Sequence, residues 1–139
     1  MTETQHNISS SLLKRFLILL KRNRLAHAYL LVGPQHAGKG ETALALAKLI
    51  NCEAIEGRDS FCNECPSCRK IDLNAHPDIH FLKGNLEESI KIEDIRELLN
   101  QIIFKPFMAR KKVFIIENVE NLTPEAGNAF LKTLEEPTA

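Results

Sequence analysis

Four cysteines carry the clearest chemical signal in this 139-residue sequence. They follow the pattern C-x9-C-x2-C-x2-C. Two adjoining C-x2-C steps let thiolates converge on one ion from a tight turn, and the first cysteine can complete a tetrahedral site from a helix end. Four sulfurs leave no open position for water, so the pattern predicts a structural zinc site and not a catalytic one. Its predicted ligands are Cys52, Cys62, Cys65 and Cys68.

Other occupants of this cysteine cluster stay open at the level of sequence. A C-x2-C-x2-C run with a distant cysteine also occurs in ferredoxins, although the downstream Cys-Pro of that motif is absent here. Free thiols are less favoured, because cysteines rarely cluster without cause in cytosolic proteins. His76 and His80 are further possible ligands, but four cysteines suffice and we favour a turn or surface role for both.

A glycine-rich loop is the second candidate site. The consensus G-x-x-x-x-G-K-[ST] is met at Gly33, Gly38 and Lys39. Glycines there let backbone amides converge on phosphate oxygens, while the lysine reaches the outer phosphates. An apolar run at 28–32 before the loop predicts a buried strand, and the alanine- and leucine-rich run after it predicts a helix that ends near Asn51. A plain strand-to-helix turn is the simpler alternative.

The residues that would make this loop catalytic are missing. Gly40 replaces the hydroxyl that would bind magnesium, and Glu41 places a carboxylate where it repels phosphate. The strand predicted at 113–116 ends in Glu117 and Asn118, where an ATPase of this type would carry Asp-Glu. The sequence therefore predicts a P-loop shape without catalytic residues, and it leaves open whether ATP binds without hydrolysis.

A helix beginning at Ser9 to Ser11 precedes the loop, and its apolar face should dock on the core. Five cations on this helix and just after it form a basic patch. The patch could contact a phosphate backbone or an acidic partner, but a solvated face with helix-end cations is the reading we favour. The patch consists of Lys14, Arg15, Lys21, Arg22 and Arg24.

The remaining elements follow from turn signals and apolar periodicity. A short helix at 69–74 ends at His-Pro-Asp, residues 76–78, and a strand follows at 79–82. Apolar residues recur at helical spacing from Ile92 to Ile103. Thr123, followed by a proline, is a predicted N-cap for the last helix.

Composition sets the wider limits. The chain has 18 basic and 18 acidic residues and 44% hydrophobic content, which indicates one domain with no overall attraction to nucleic acid or anionic lipid. The longest apolar run near the N-terminus, at 16–20, is far too short for a membrane span or a secretory signal. We expect a cytoplasmic protein without membrane contact.

Taken together, these residues resemble the bacterial DNA polymerase III clamp-loader subunits: gamma, tau and delta-prime. The combination of the cysteine module after the P-loop helix with Leu-Lys-Thr-Leu-Glu-Glu-Pro is specific to this family. The matching stretches are LAHAYLLVGP at 25–34, the cysteine module, HPD at 76–78, IEDIREL at 92–98 and NAFLKTLEEP at 128–137.

The resemblance implies an α/β fold: the three-layer αβα parallel sheet of a P-loop AAA+ domain. Residues 1–139 would form its incomplete N-terminal part, with a zinc module at about 52–70 and the remaining strands, lid and C-terminal domain absent. Related sheets place a fourth strand between the first and third. We therefore expect exposed ladder groups, or a direct pairing, at 28–32 and 113–116. The family's Ser-Arg-Cys segment would fall beyond Ala139.

The resemblance also implies a role within the DNA polymerase III holoenzyme, opening the sliding clamp and placing it on primed DNA with gamma or tau and delta subunits. Gly40, Glu117 and Asn118 depart from the motor pattern. We therefore expect a delta-prime-like stator that does not hydrolyse ATP. A gamma- or tau-type motor and a nucleic-acid-binding protein built on the zinc module are the alternatives.

Overall fold

The computed structural model describes residues 10–32, 38–83, 89–102 and 104–135. These residues form five α-helices, two β-strands and one short 3-10 helix. The helices predicted from the sequence are all present, with boundaries within a few residues of the expectation. In chain order the elements are α1 (Ser10–Lys21), α2 (Lys39–Asn51), α3 (Pro66–Asp72), β1 (Ile79–Lys83), α4 (Ile92–Ile102), β2 (Val113–Glu117), the 3-10 helix (Val119–Asn121) and α5 (Pro124–Glu135).

The two strands pair in parallel, from Ile79 opposite Val113 to Lys83 opposite Glu117. Alternating side chains of this small sheet face the helices on either side, and Ile115 is the buried one among the described strand residues. On one face Ile115 packs with Ala47 of α2 and Ile71 of α3. On the other face, Leu82 and Ile116 pack against the α4 and α5 cluster. Helices therefore cover both sides of a parallel sheet, which confirms the predicted α/β class.

A second core joins α1 to α2 and the cysteine module. Phe16 and Leu17 of α1 are buried, as the apolar periodicity of that helix predicts. They share one cluster with Leu49 of α2 and with two of the cysteines, Cys52 and Cys68, both of which are fully buried. The cysteine module is therefore part of the hydrophobic core and not a separate appendage.

The predicted strand at 28–32 does not form, which corrects the sequence-based expectation. This segment has no ladder partner among the described residues, and Leu30 and Val32 are 71% and 85% exposed. Direct pairing of this segment with β2 is likewise absent, because among the described residues β2 pairs with β1. An apolar run becomes a buried strand only when a neighbouring strand satisfies its backbone groups, and no described strand does so.

Backbone hydrogen bonds join the segments that immediately precede α4 and α5. The Ile90 N–H donates a hydrogen bond to the Asn121 carbonyl at 2.9 Å, and the Thr123 N–H donates one to the Ile90 carbonyl at 3.1 Å. The predicted cap is confirmed, because Thr123 Oγ1 accepts a hydrogen bond from the Ala126 N–H at 3.2 Å. Among the described residues, no helix is long and apolar enough to cross a membrane.

Candidate metal centre and phosphate loop

The four predicted cysteines come together at the junction of α2 and α3. Cys52 follows the last residue of α2 in an extended conformation, which turns its side chain out of the helical path. Cys65 is the N-cap of α3, whose first residue is Pro66. The ligand atoms of Cys52, Cys62, Cys65 and Cys68 all lie within 4.8 Å of one another.

Backbone N–H groups point at these sulfurs. Cys62 Sγ accepts hydrogen bonds from Glu64 and Cys65 at 3.3 and 3.1 Å. Cys52 Sγ accepts one from Cys62 at 3.3 Å, and Cys65 Sγ accepts one from Cys68 at 3.4 Å. Donors directed at sulfur stabilise a thiolate, which is the form that binds metal.

The acidity of two cysteines reflects this geometry. The N–H donors from Glu64 and Cys65 lower the pKa of Cys62 to about 6. Burial raises the pKa of Cys68 well above its ordinary range. A fully buried thiolate needs a compensating positive charge. The donor set therefore fits a soft divalent cation held by four sulfurs, and zinc has that preference.

Lys48 of α2 fastens the loop that carries the central cysteines. Its Nζ donates a hydrogen bond to Asn63 Oδ1 at 2.9 Å and lies 5.0 Å from the Phe61 ring centroid. The same ammonium group forms an ion pair with Asp72 of α3. One side chain of α2 thus contacts both the middle of the module and the end of α3. Sequence reasoning missed this role because the contacts span distant positions.

Neither histidine joins the cluster of metal-capable residues found among the described residues. His76 is buried in the predicted turn, where its Nδ1 accepts a hydrogen bond from the Asp78 N–H at 3.0 Å. His80 stacks on Phe114 with ring centroids 4.9 Å apart. Burial lowers the pKa of both imidazoles. Their positions support the structural roles favoured from the sequence.

The phosphate loop is described from Gly38 onward, and the predicted position Gly33 lies outside the described residues. Gly38 is the N-cap of α2 with φ of 80°, a left-handed conformation that favours glycine. Its carbonyl accepts the Thr42 N–H at 2.9 Å. Lys39, the first residue of α2, is exposed. This geometry is compatible with the end of a phosphate loop.

Gly40 lies directly against the end of β2. A Cβ built on Gly40 would overlap Glu117 Oε1 and would lie 3.3 Å from Cδ. Asn118 follows with φ of 57°, again left-handed. Asparagine tolerates this conformation better than most residues, so the turn itself gives Asn118 a structural role. Two sequence features together could have indicated this contact: glutamate at 117 in place of the shorter aspartate, and the absence of a side chain at 40.

The basic patch on α1 and just after it is exposed, as expected for either of its readings. One of its members, Lys21, donates a hydrogen bond from Nζ to the Arg58 carbonyl at 3.1 Å. Contact with a phosphate backbone or an acidic partner stays the less favoured alternative to a solvated face. The exposed members are Lys14, Arg15, Lys21, Arg22 and Arg24.

The parallel strands with helices on both faces, the glycine turn before α2 and the cysteine cluster define the class: an α/β protein with a cysteine-rich insertion. Comparison with known proteins then gives the family. The model of the family described as DNA polymerase III, delta subunit, matches residues 8–139, and the chain belongs to that family. This membership confirms the resemblance to DNA polymerase III subunits noted in the sequence.

Relatives with several subunit names are similar to the chain. It is 40% identical over 119 residues to DNA polymerase III subunit tau/gamma of Haemophilus influenzae, covering 85% of this chain and 17% of that protein. It is 36% identical over 118 residues to subunit delta' of Bacillus subtilis, covering 85% and 35%. It is 32% identical over 136 residues to subunit gamma/tau of Mycoplasma pneumoniae, covering 97% and 19%. The chain thus spans about a third or less of these relatives' length.

Proposed function

We propose that the protein acts as a delta-prime-like, non-hydrolysing stator of the clamp loader that places the sliding clamp on primed DNA. The observation that carries this proposal is the pair of replacements at Gly40 and Asn118. Residue 40 offers no hydroxyl for magnesium, and residue 118 offers no carboxylate to polarise water. Either loss would remove most of a motor's rate.

Its partners would be gamma or tau and delta subunits, with the clamp and DNA reached through the complex in the cytoplasm. A shape preserved without chemistry is useful to an assembly, because a subunit can bias a neighbour's turnover through the interface alone. We infer a structural zinc ion at Cys52, Cys62, Cys65 and Cys68. Any residual phosphate contact would fall to Gly33, Gly38 and Lys39.

Reconstitution tests the stator role. The full-length protein is mixed with motor and delta subunits, and clamp loading on primed DNA is measured with and without it. We expect loading to need the protein while the protein alone shows no ATP turnover. Equal loading in its absence would refute the stator role.

A motor role is the second candidate, favoured by relatives named tau and gamma. It predicts magnesium-dependent ATP turnover of roughly 1 s⁻¹ or more by the full-length protein, the low end for phosphoryl-transfer enzymes. Lys39→Ala is the control, because it removes the phosphate-binding cation from an exposed position. ATP turnover that Lys39→Ala abolishes would refute the stator role and support the motor role.

A further inference from the structure

Residue 40 lies where the magnesium-nucleotide site implied by this fold family would have one of its magnesium ligands. Such a site needs a hydroxyl side chain in the first turn of the helix after the loop. In this chain the volume that such a side chain would enter belongs to Glu117, because a Cβ at Gly40 would overlap Oε1 and lie 3.3 Å from Cδ. The residues present therefore do not fit a magnesium ion held at this position.

The two residues are matched in size. The acid at the end of β2 is a glutamate, which reaches one methylene farther than the aspartate expected there. Gly40 leaves the room that the longer side chain takes. Glycine at position 40 by itself would only remove the magnesium ligand. Here the Glu117 carboxylate also fills the space beside Gly40 that the missing side chain would take. The contact lies wholly within described residues of α2 and β2.

Electrostatics favour this exchange. The N-terminus of a helix attracts an anion through its exposed N–H groups and its dipole. The cap of α2, Gly38, makes no side-chain hydrogen bond to the helix, and Glu41 adds a second carboxylate to the same turn. A nucleotide phosphate arriving here would meet the carboxylates of Glu41 and Glu117 as well as the Lys39 ammonium group, so two negative charges oppose one positive charge.

We propose that Glu117 is an internal substitute for the nucleotide: its carboxylate occupies the first turn of α2, so that the protein excludes magnesium nucleotides and does not bind them unproductively. The proposed function requires only that ATP is not hydrolysed. Exclusion goes further, because it assigns the loss of binding to one side chain and predicts that the loss is reversible.

Equilibrium dialysis of the full-length protein against ATP and ADP, with and without magnesium, tests the exclusion. The variants are Glu117→Gln, which removes the charge at nearly constant volume, and Glu117→Ser, which removes the volume as well. Glu120→Gln is the matched control, since Glu120 is an exposed acid in the neighbouring 3-10 helix. We expect both Glu117 variants to bind ATP at least roughly tenfold more tightly than wild type and the control to be unchanged.

A third variant, Gly40→Ala, reaches the same comparison without altering β2. Its methyl group would displace the end of the flexible Glu117 side chain, so ATP affinity should rise here too. The proposal is overturned if wild type already binds magnesium-ATP as tightly as Glu117→Gln, or if these variants bind no better than wild type. Wild-type protein that binds magnesium-ATP without hydrolysing it would refute the exclusion proposal but not the stator role. ATP turnover by the wild-type protein, or clamp loading that proceeds without it, would refute the stator role.

Discussion

Asn51 and Lys111 exchange two hydrogen bonds across the molecule. Asn51 Nδ2 donates to the Lys111 carbonyl at 3.0 Å, and the Lys111 N–H donates to Asn51 Oδ1 at 3.0 Å. Asn51 is the last residue of α2 and is 1% exposed. Arg110 adds a bond from its guanidinium to the Cys52 carbonyl at 3.0 Å. The segment before β2 is therefore tied to the point where the cysteine module begins.

Replacing Asn51 by alanine should lower the free energy of unfolding by about 2 to 3 kcal/mol, because both Lys111 backbone groups lose their partner in a partly buried place. Urea unfolding followed by circular dichroism measures the change. Asn100→Ala, at an exposed position of α4, should change stability by less than about 0.5 kcal/mol. Equal effects of the two variants would show that the reciprocal pair contributes nothing.

Metal content tests the cysteine cluster. Protein purified without chelator should carry close to one equivalent of zinc, and Cys52→Ser or Cys68→Ser should lose it. Because the module shares its core with α1 and α2, metal loss should lower Tm by about 10 °C or more. Ser60→Ala, an exposed change within the module, should keep zinc and Tm.

Elemental analysis separates the possible occupants of the cluster. Iron with visible absorbance would identify the cluster alternative. Less than about half an equivalent of any metal in protein prepared without chelator would contradict a structural metal site.

Acid sensitivity should arise at Asp78. This carboxylate is 1% exposed and accepts N–H bonds from Phe107, Met108 and Ala109 at 2.7 to 2.8 Å. Burial raises its pKa, but the three donors outweigh burial and the pKa of Asp78 lies below its ordinary value. The folded pKa is therefore below the unfolded one, so the stabilisation is present above a pH of about 4 and is lost as the pH falls through the folded pKa.

Asp78→Asn should cost about 2 to 4 kcal/mol at neutral pH, because an amide cannot accept all three donors. Its stability should also fall less steeply than that of wild type below a pH of about 4. Chemical unfolding at several pH values measures both effects, and the exposed Asp59→Asn change serves as the control. Parallel pH profiles for wild type and Asp78→Asn would contradict this assignment.

Restoring two motor residues should not create a motor. Gly40→Thr brings a Cβ into the space of the Glu117 carboxylate, and Asn118→Glu puts a glutamate into a left-handed conformation. We expect the double variant of the full-length protein to show less than about 1 s⁻¹ of magnesium-dependent ATP turnover. Adding Glu117→Asp should relieve the overlap and raise the thermal stability of the double variant. A double variant that turns over ATP without this third change would contradict the expectation that the displaced Glu117 carboxylate and the left-handed backbone at 118 still prevent catalysis.

Local signals were sufficient for most of the elements and for the grouping of the four cysteines. The periodicities of α1 and α4, the turn at 76–78 and the cap at Thr123 each depend on residues a few positions apart, and each is confirmed. The proximity of Cys52 to the other three cysteines follows from one helix end and one tight turn, so spacing alone predicted it. Zinc as the occupant stays a prediction.

Tertiary structure decided what depends on partners far along the chain. The segment at 28–32 is apolar enough for a strand, but strand formation needs a neighbour, and none of the described strands pairs with it. From sequence, Asp78 is a turn residue and Asn51 a helix-end residue. Their hydrogen-bond partners at 107–111 are distant along the chain and come close only in the folded protein. Glu117 was predicted at a strand end, but the sequence could not show that its carboxylate fills the space beside Gly40. Composition and periodicity report which local structure is favourable, whereas shape complementarity between distant residues exists only once the chain has folded.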